Sequence, residues 1–415
     1  MGVAVRACVR GCLAAMAAAG AMIGAVPADA AVHTTFYDQL PAVASGGGET
    51  VVAWTQNGVV QTASREADGS FTPGSAVGRS VGNFSPVLTI TATGEQLLVW
   101  ESGRQIRAAV RPAGRGPWTL QEIAGGVPRF VGLHLLVDRG GRAILTWQAG
   151  AGEVYGTRLW MSTRLPGGAW SPPSLPLGSI GVATAAMAID GSGDLAIVYS
   201  RYTDTASPTS MQAVTLPAGA TAWSAPSDLS GDDRFPQNGS ILGGGGRTFV
   251  ATWEAFNAGH ELRSEPNVVF HTSRLRLPGA WEPPHALIPG LLEAAPGAFG
   301  RLTAGAVDSS GNALVILRWD NGNGGRALGA LRLPAGEEAW TAPVPLGIPE
   351  GGDADGPPAL MLADDGTAAL AFLRIASTGA LSLPFATARP SSDRWDGLGA
   401  DAAAVQRCPV AFGNV

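Results

Sequence analysis

Three carboxylates in this 415-residue sequence stand where they could do chemistry. Glu101, Glu254 and Asp320 each directly follow a tryptophan at the end of an apolar run. Two carboxylates on either side of a glycosidic bond can hydrolyse it, one as the acid and the other as base or nucleophile. We therefore treat these three as candidate catalytic residues. The alternative interpretation is that they are solvated surface charges.

Other polar residues in predicted loops could bind a ligand. Tyr155 and Tyr202 are the tyrosines placed where a nucleophile could stand, and Arg129, Arg234 and Arg301 precede predicted strands. Arginine suits a carboxylate group because its planar guanidinium donates two parallel hydrogen bonds. These five residues are our candidate ligand-binding set.

Signals for metals and cofactors are weak. The run Asp190 to Asp194 (Asp-Gly-Ser-Gly-Asp) is better explained as a β-turn than as a calcium loop, which needs more oxygen ligands. The histidines lack zinc-binding spacing, and no phosphate-binding loop is present. We expect neither metal nor cofactor. The role of Cys408 stays open.

The N-terminus is typical of an export signal. Arg6 and Arg10 precede an uncharged apolar stretch at 13–26, and Ala28 and Ala30 provide the small residues of a cleavage site. The sequence thus predicts a signal peptide over residues 1–30 and a secreted, extracellular protein cleaved near Ala30. No later apolar run reaches eighteen residues, so we expect no membrane span.

Composition narrows the class of protein. Charged residues make up 14% of the chain and the formal net charge is −6, which disfavours nucleic acid and anionic lipid as partners. Many glycines together with 46% hydrophobic residues suit tightly turned sheets that are buried on both faces. We expect one domain over residues 31–415 and a monomer.

Two elements repeat along the chain. The first is a Pro-Gly turn leading to an aromatic anchor, and the anchors are Phe71, Trp118, Trp170, Trp223, Trp281, Trp340 and Trp395. The second is an apolar strand with an aromatic residue six positions after a glycine, or seven in the case of Gly246. Its aromatic residues are Trp54, Trp100, Trp147, Tyr199, Trp253 and Phe372, and Leu317 takes the same position in one repeat.

The repeats predict an all-β, seven-bladed β-propeller of four-stranded antiparallel blades. Each unit reads as strand A, a glycine turn, strand B, a loop, strand C, a Pro-Gly turn and strand D. Strand B is apolar at successive residues and so needs cover on both faces, which a ring of blades supplies; an open solenoid is the alternative. The predicted blades span roughly 40–80, 81–126, 127–178, 179–230, 231–290, 291–348 and 349–410.

The two rims of such a ring differ in sequence. The A–B and C–D turns share one rim, and the A–B turns are short and regular. The B–C loops share the other rim with the D–A loops and vary in length, from 17 or 18 residues between strand-B aromatic and anchor to 28 in the fifth repeat. Because variable loops on a rigid scaffold commonly carry function, we predict that the ligand binds at the B–C/D–A rim.

The Pro-Gly turns resemble a known element. They look like the Ser-x-Asp-x-Gly-x-x-Trp box of sialidase-like propellers after loss of the Ser and Asp, and the repeats are similar to those of secreted, uncharacterised actinobacterial proteins. The resemblance implies a fold. The Arg-Ile-Pro signature of sialidases is missing from the first repeat, and Arg234-Phe235-Pro236 is a partial match in the wrong repeat.

Three functions remain open. The sequence favours a non-catalytic binding module for an extracellular glycan or protein over an enzyme. The alternatives are a glycoside hydrolase of sialidase-like type and a structural extracellular scaffold.

The export signal can be tested directly. N-terminal sequencing of the protein recovered from the culture medium is expected to begin at Ala31. An exported chain that still starts at Met1 would contradict the prediction.

Overall fold

The computed structural model describes the repeat region of the chain. Its described residues are 42–46, 49–65, 72, 74–81, 85–114, 116–127, 130–150, 157–202, 208–231, 234–256, 268–287, 300–320, 326–346, 352–354, 359–362, 366–371, 374–376, 381–382, 385–388 and 395–396. Every regular element in them is a β-strand, and every sheet is antiparallel with three or four strands. No helix among these residues has the length and apolarity to cross a membrane.

The first three sheets follow one another along the chain. Sheet 1 contains β1 (Ala42–Gly46), β2 (Glu49–Gln56), β3 (Val59–Ser64) and β4 (Ser75–Arg79). Sheet 2 contains β5 (Val87–Ile90), β6 (Gln96–Ser102), β7 (Gln105–Arg111) and β8 (Thr119–Ala124). Sheet 3 contains β9 (Phe130–Val137), β10 (Ala143–Ala149) and β11 (Arg158–Arg164).

The next three sheets have four strands each. Sheet 4 contains β12 (Val182–Ile189), β13 (Leu195–Tyr202), β14 (Pro208–Leu216) and β15 (Ser227–Asp228). Sheet 5 contains β16 (Arg234–Gly243), β17 (Thr248–Phe256), β18 (Val268–Arg276) and β19 (His285–Ala286). Sheet 6 contains β20 (Gly300–Val307), β21 (Ala313–Asp320), β22 (Arg326–Leu333) and β23 (Val344–Leu346).

The last repeat forms two pieces. Sheet 7 contains β25 (Ala359–Leu362), β26 (Ala368–Ala371), β29 (Phe385–Ala388) and β30 (Trp395–Asp396). A three-stranded sheet contains β24 (Gly352–Ala354), β27 (Arg374–Ala376) and β28 (Leu381–Ser382). The pairs Arg374↔Ser382 and Ala368↔Ala388 share one register, so the smaller sheet continues sheet 7 toward the B–C end.

Sheets 1, 2 and 4 to 7 are four-stranded meanders in which each strand pairs with the next in its sheet. Sheet 3 differs from the prediction because it has three strands. Trp170 and Ser174 make only isolated bridges to Arg164 and Met161. The prolines at 172 and 173 lie between these bridges and have no amide to donate, which interrupts the pairing, although sheet 5 keeps the two-residue β19 after the corresponding prolines at 283 and 284.

Strand B is buried on both faces in sheets 2 to 6, as far as its side chains are described. In sheets 2, 3 and 4 the first five residues of this strand are all buried. Each face packs against an adjacent sheet, and the A strands of consecutive sheets contact one another from β1 through β5, β9, β12, β16 and β20 to β25. The sheets therefore stack face to face in chain order.

A hydrophobic cluster fills each junction between consecutive sheets. Trp147 of sheet 3, for example, packs with Val99 and Ile106 of sheet 2. Each cluster also contains the partly buried anchor tryptophan of the later sheet. These anchors are Trp118, Trp170, Trp223, Trp281, Trp340 and Trp395.

The A–B turns share one hydrogen-bonded geometry. The amide of the first turn residue donates to the carbonyl of the fifth, at Thr91–Glu95, Asp138–Arg142, Asp190–Asp194, Gly244–Thr248 and Asp308–Asn312. The fourth residue has a positive φ, which glycine adopts without strain and which Gly94, Gly141, Gly193 and Gly311 supply. The recurring glycine of the sequence is thus set by this turn.

Sheet 5 departs from the pattern in an informative way. Its fourth turn residue is Arg247, with φ 58°. Counted from Arg247 instead of Gly246, Trp253 is six residues on, as in the other repeats. The extra residue predicted in this repeat is therefore wrong, because the turn position is filled by arginine. The Arg247 Nε donates to Asp194 Oδ2 of sheet 4 at 2.6 Å.

Polar contacts at the A–B/C–D rim connect all six junctions between consecutive described sheets. Two of them are arginine–carboxylate pairs, Arg164–Glu95 at 2.7 Å between sheets 3 and 2 and the Arg247–Asp194 pair. The others are different in kind. They are Gln96 with Glu49, Arg142 with the Gly193 carbonyl, Arg274 with the Glu337 carbonyl and Arg332 with the Gly366 carbonyl.

A pair of buried carboxyls lies in the turn of sheet 4. Burial raises the pKa of Asp190 to about 6, against hydrogen bonds from the Asp194 and Ser192 amides, and the neighbouring Asp194 charge adds to the rise. Burial alone would raise the pKa of Asp194 too, but hydrogen bonds from Arg247 and the Ala218 amide lower it. At a pH just below 6, Asp190 is therefore mostly protonated while Asp194 is ionised.

Four consecutive glycines, Gly243 to Gly246, let the A–B turn of sheet 5 pass between its neighbours. The Gly191 amide of sheet 4 donates to the Gly244 carbonyl at 3.1 Å, and the Gly245 amide donates to the Asp308 carbonyl of sheet 6 at 2.9 Å. A Cβ added at Gly245 would lie 2.0 Å from the Ser309 carbonyl oxygen. The added Cβ would clash with main-chain atoms of Ser309, which cannot rotate away as a side chain could.

We expect Gly245→Ala to lower the free energy of unfolding by about 3 kcal/mol or more, because the clash separates sheets 5 and 6. Gly116→Ala is the control, since its Cβ would meet nothing closer than 3.9 Å. Urea unfolding of both variants measures the difference. Equal midpoints for the two variants would contradict the close approach.

Candidate functional site

The structure places the predicted site residues unevenly. Glu101, Glu254 and Tyr202 are described in full. For Asp320, Arg234 and Arg301 the backbone alone is described, at strand positions toward the predicted B–C/D–A rim. Four predicted residues lie outside the described ones: the candidate ligand-binding residues Tyr155 and Arg129, and the repeat aromatics Phe71 and Phe372.

The residue directly after the strand-B aromatic is polar in five sheets. We call these the seam positions, and they are Thr55, Glu101, Gln148, Ser200 and Glu254. Strand alternation puts each on the face that packs against the next sheet, because that junction's cluster contains the residue two before it in sheets 1, 2 and 4 and the residue four before it, Ile144, in sheet 3. A row of polar groups thus faces the junctions at the B–C end.

Three seam positions have hydrogen-bond partners near strand A. Gln148 Nε2 donates to Thr157 Oγ1 at 2.9 Å and to the Ala183 carbonyl of sheet 4 at 3.4 Å. The hydroxyls of Ser200 and Thr184 lie 3.0 Å apart. Glu254 accepts from Asn238 Nδ2 at 2.7 Å. These pairings satisfy polar groups that burial would otherwise penalise.

A β-bulge or register irregularity in strand A lies at or near the seam position in four consecutive sheets. The register shifts lie opposite Trp147/Gln148 in sheet 3, opposite Ser200 in sheet 4, and on both sides of Gln237 in sheet 5. Sheet 6 has one next to Leu302. Bulges re-aim side chains and are common beside binding sites. Since strand A is innermost in the stack, these bulges occur where the four sheets converge.

Glu101 differs from the paired seam positions. Its Oε2 is buried and has no hydrogen-bond partner among the described residues, and the same holds for Thr55 Oγ1. The reason is local: pairing of strand A in sheet 2 begins at Val87, opposite Val99, and Pro86 before it has no amide to donate. Strand A therefore stops short of Glu101.

Glu101 lies in a partly buried environment that contains both polar and apolar groups. Burial raises its pKa from 4.5 to about 7. The Ser80 hydroxyl donates to the Glu101 main-chain carbonyl at 3.1 Å, and Val81 bridges to Ser102 with 64% of its surface exposed. An unpaired carboxyl thus lies beside an exposed apolar side chain at the end of strand B.

The three candidate carboxylates do not form one group at a common height. Glu101 and Glu254 take the same repeat position in sheets 2 and 5, with sheets 3 and 4 between them in the stack. Asp320 stands nine residues after its turn glycine, Gly311, whereas Glu101 stands seven after its own. The backbone of Asp320 is therefore two residues farther from its turn than Glu101 and Glu254 are from theirs, because Leu317 holds the aromatic position.

Neither described candidate is a fully solvated rim charge. Glu101 is half-buried, and Glu254 is 8% exposed. Tyr202 is half-buried at the end of strand B in sheet 4, where its amide donates to the Gly181 carbonyl at 3.0 Å. Tyr199 is fully buried and its hydroxyl donates to Gln212. Among the described residues, no three His, Cys, Asp or Glu side chains are grouped to hold a metal.

Sequence reasoning missed the seam positions because it searched for carboxylates alone. A signal was present, since the residue after the strand-B aromatic is polar in repeat after repeat. Asn238 was missed as well. The pair Asn238-Gly239 is typical of a positive φ, but it predicts a hairpin turn and not a residue inside a strand.

Comparison with known proteins gives the fold. No protein-family model matches the chain, and no curated protein matches it. A solved polysaccharide lyase of family PL25, an ulvan lyase, is 12% identical with a TM-score of 0.56, covering 91% of this chain and 98% of its own. The same lyase has been solved bound to -[GlcA(1-4)Rha3S]-.

Two further structures are similar. Polysaccharide lyase Uly1 is 10% identical with a TM-score of 0.54, covering 86% of this chain and 90% of its own. A lectin from Aleuria aurantia described as a six-bladed β-propeller has a TM-score of 0.40 at 16% identity, too low to support an argument. At these identities the lyases share an architecture with this chain along most of its length.

We expect Glu101→Gln to remove a pH dependence of stability. Below its unfolded pKa of about 4.5 the Glu101 carboxyl is protonated in both the folded and the unfolded state, so its burial does not depend on pH. As the pH rises from 4.5 toward the folded pKa of about 7, the unfolded state loses the proton more readily and the free energy of unfolding falls. Glutamine stays neutral throughout. Allowing for partial solvation, the variant should match wild type near pH 4.5 and exceed it by about 1–2 kcal/mol at pH 8.

Urea unfolding at several pH values measures this difference. Glu122→Gln, which removes the same charge from an exposed side chain of sheet 2, is the matched control. If the Glu101→Gln and wild-type curves run parallel from pH 4.5 to 8, Glu101 is solvated and the site description is wrong.

Proposed function

We propose that this chain is a secreted β-propeller of seven blades that binds a polysaccharide at its B–C/D–A rim. The observation that carries the proposal is Glu101, a buried carboxyl oxygen with no partner among the described residues, at the end of the stack where the loops vary. Elsewhere in the row the polar groups of Gln148, Ser200 and Glu254 are paired. An unpaired acceptor in such a row suits a ligand that brings its own donors.

The chemistry of a sugar fits this position. A sugar offers hydroxyl donors on its rim and apolar C–H groups on its face. Glu101 can accept from a hydroxyl, while the exposed Val81 next to Ser102 offers an apolar contact. Arg129, Arg234, Arg301, Tyr155 and Tyr202 stay candidate ligand contacts of the same rim.

The fold comparison supports the ligand class. The ulvan lyase and Uly1 are polysaccharide lyases, and the first has been solved with a bound glucuronate–rhamnose sulfate repeat. We extend to this chain only the class of ligand, a polysaccharide. The seven stacked sheets, one for each repeat, support the blade number, and an extracellular ligand agrees with the predicted signal peptide over residues 1–30.

Glycan cleavage is the second candidate function, and one observation favours it. A carboxyl whose pKa is about 7 can both give and take a proton near neutral pH, as a general acid or base must. A hydrolase of sialidase-like type would also need a nucleophile, for which Tyr155 and Tyr202 are the candidates. Binding is the stronger proposal because it requires Glu101 alone.

We expect the mature protein to bind a soluble polysaccharide in affinity electrophoresis. Three gels would contain the -[GlcA(1-4)Rha3S]- polymer, polygalacturonate or neutral arabinoxylan. Glu101→Ala should weaken the retarding interaction about tenfold or more, the usual cost of losing a hydrogen bond to a charged group. Because a ligand hydroxyl favours the ionised carboxyl, wild-type affinity should rise as the pH increases through 7.

Glu122→Ala is the control and should behave as wild type. The same polymers, incubated with the protein, are assayed for new reducing ends and for unsaturated uronate. Product that disappears in Glu101→Gln would establish cleavage in place of simple binding. If no polymer retards the wild-type protein, the proposed function is refuted, and a structural extracellular scaffold is the hypothesis that remains.

A further inference from the structure

We infer that Asn238 contacts the ligand and that Glu254 positions Asn238 instead of acting as a catalytic residue. The inference rests on the proposed function and adds a second contact on sheet 5 to that of Glu101 on sheet 2. The ligand group it takes is a sugar hydroxyl, which donates to the Asn238 side-chain carbonyl.

The backbone at Asn238 is unusual for a strand. Three described non-glycine residues have a positive φ: Asn57, Asn238 and Arg247. Asn57 precedes Gly58 in a two-residue hairpin turn, whose geometry demands this conformation. Arg247 fills the left-handed position of an A–B turn. Asn238, with φ 52°, lies inside β16, so no chain reversal explains it.

The conformation coincides with a break in strand pairing. Strand β16 loses register with β17 both before and after Gln237. Next to Asn238, a Cβ on Gly239 would lie 2.8 Å from Val198 Cγ1 and 2.9 Å from Met211 Sδ of sheet 4. A glycine is thus required at 239 for close packing on sheet 4, while Asn238 is turned the other way. Outliers of this kind concentrate at ligand-binding sites.

Glu254 holds the Asn238 side chain in one orientation. Asn238 Nδ2 donates to Glu254 Oε2 at 2.7 Å. A carboxylate can only accept, so the amide must present its NH2 group to Glu254, and its carbonyl oxygen Oδ1 is the atom left to accept from elsewhere. Asn238 is half-buried, and its Oδ1 is not among the buried polar atoms that lack a partner. The oxygen is therefore accessible from solvent.

Glu254 itself is poorly placed to touch a ligand. It is 8% exposed, and its carboxylate is engaged by Asn238. Strand A, which carries Asn238, is the innermost strand of the stack, and its break in pairing lies in the series of irregularities that runs through sheets 3 to 6. Asn238 therefore stands between Glu254 and the convergence of the sheets, which identifies it as the contact and Glu254 as its support.

Asn238→Gly tests the contact without straining the chain. Glycine accepts the positive φ, so the backbone is not strained, but loss of the amide that donates to the nearly buried Glu254 should lower the unfolding temperature by roughly a few degrees. We expect affinity for the retained polymer of the three-gel panel to fall about tenfold, as for loss of one neutral hydrogen bond. Asn57→Gly makes the same change at the same φ in the hairpin turn and should bind normally.

Glu254→Gln tests the positioning role. Its side-chain carbonyl can still accept from Asn238 Nδ2, so binding should change by less than about threefold. In any cleavage assay the rate should be retained, whereas a catalytic acid or base at 254 would lose it. Loss of turnover in Glu254→Gln with binding intact would overturn the assignment.

The outcomes separate this inference from the proposed function. If the wild type binds and Asn238→Gly binds equally well, the inference is wrong and the proposed function stands. If Asn238→Gly loses affinity while it is still folded, and Asn57→Gly does not lose affinity, the inference holds. If no polymer retards the wild type, the proposed function and the inference about Asn238 are both wrong.

Discussion

Everything in this molecule depends on the burial of strand B on both of its faces. A strand that is apolar on alternate residues can leave one face to water, but the central strands of these sheets are buried at successive residues. Each sheet must therefore lie between two others. The junction clusters, the anchor tryptophans and the close turns are all consequences of that requirement. Polar groups at the seam have to be paired for the same reason, so an unpaired one such as Glu101 stands out.

Close packing of the sheets creates strain that other contacts offset. At Gly243, Gly244 and Gly245 the neighbouring turns approach too closely for any side chain, while Gly246 has a positive φ of 64°. The next residue, Arg247, has a left-handed backbone conformation, which costs on the order of 1 kcal/mol for a non-glycine residue. Its ion pair with the buried Asp194 explains why an arginine is kept there. In sheet 6 the matching pair is Asp308–Asn312, where the Asn312 amide donates to the carboxylate and no cation is needed.

Much of the architecture was predictable because it repeats. Spacing identified the strand-B aromatics, the turn glycines and the anchor tryptophans, and the structure has the antiparallel sheets they imply. Prediction failed where the pattern changed: Arg247 occupies the position of the turn glycine in sheet 5, and the fourth strand of sheet 3 is reduced to isolated bridges. The site was less predictable still. Burial decides whether Glu101 is solvated, and pairing decides whether Asn238 is strained, and neither quantity can be read from residue order.

The rim contacts carry a consequence for how the chain assembles. The six junctions share a hydrophobic plan, but their polar contacts are of three kinds: glutamine with glutamate at one junction, arginine with a carboxylate at two, and arginine with a main-chain carbonyl at three. A sheet inserted at the wrong place would bury an arginine or a carboxylate without its counterpart, at a cost of several kcal/mol. The contacts thus disfavour packing of a repeat against the wrong neighbour, within one chain or between two chains.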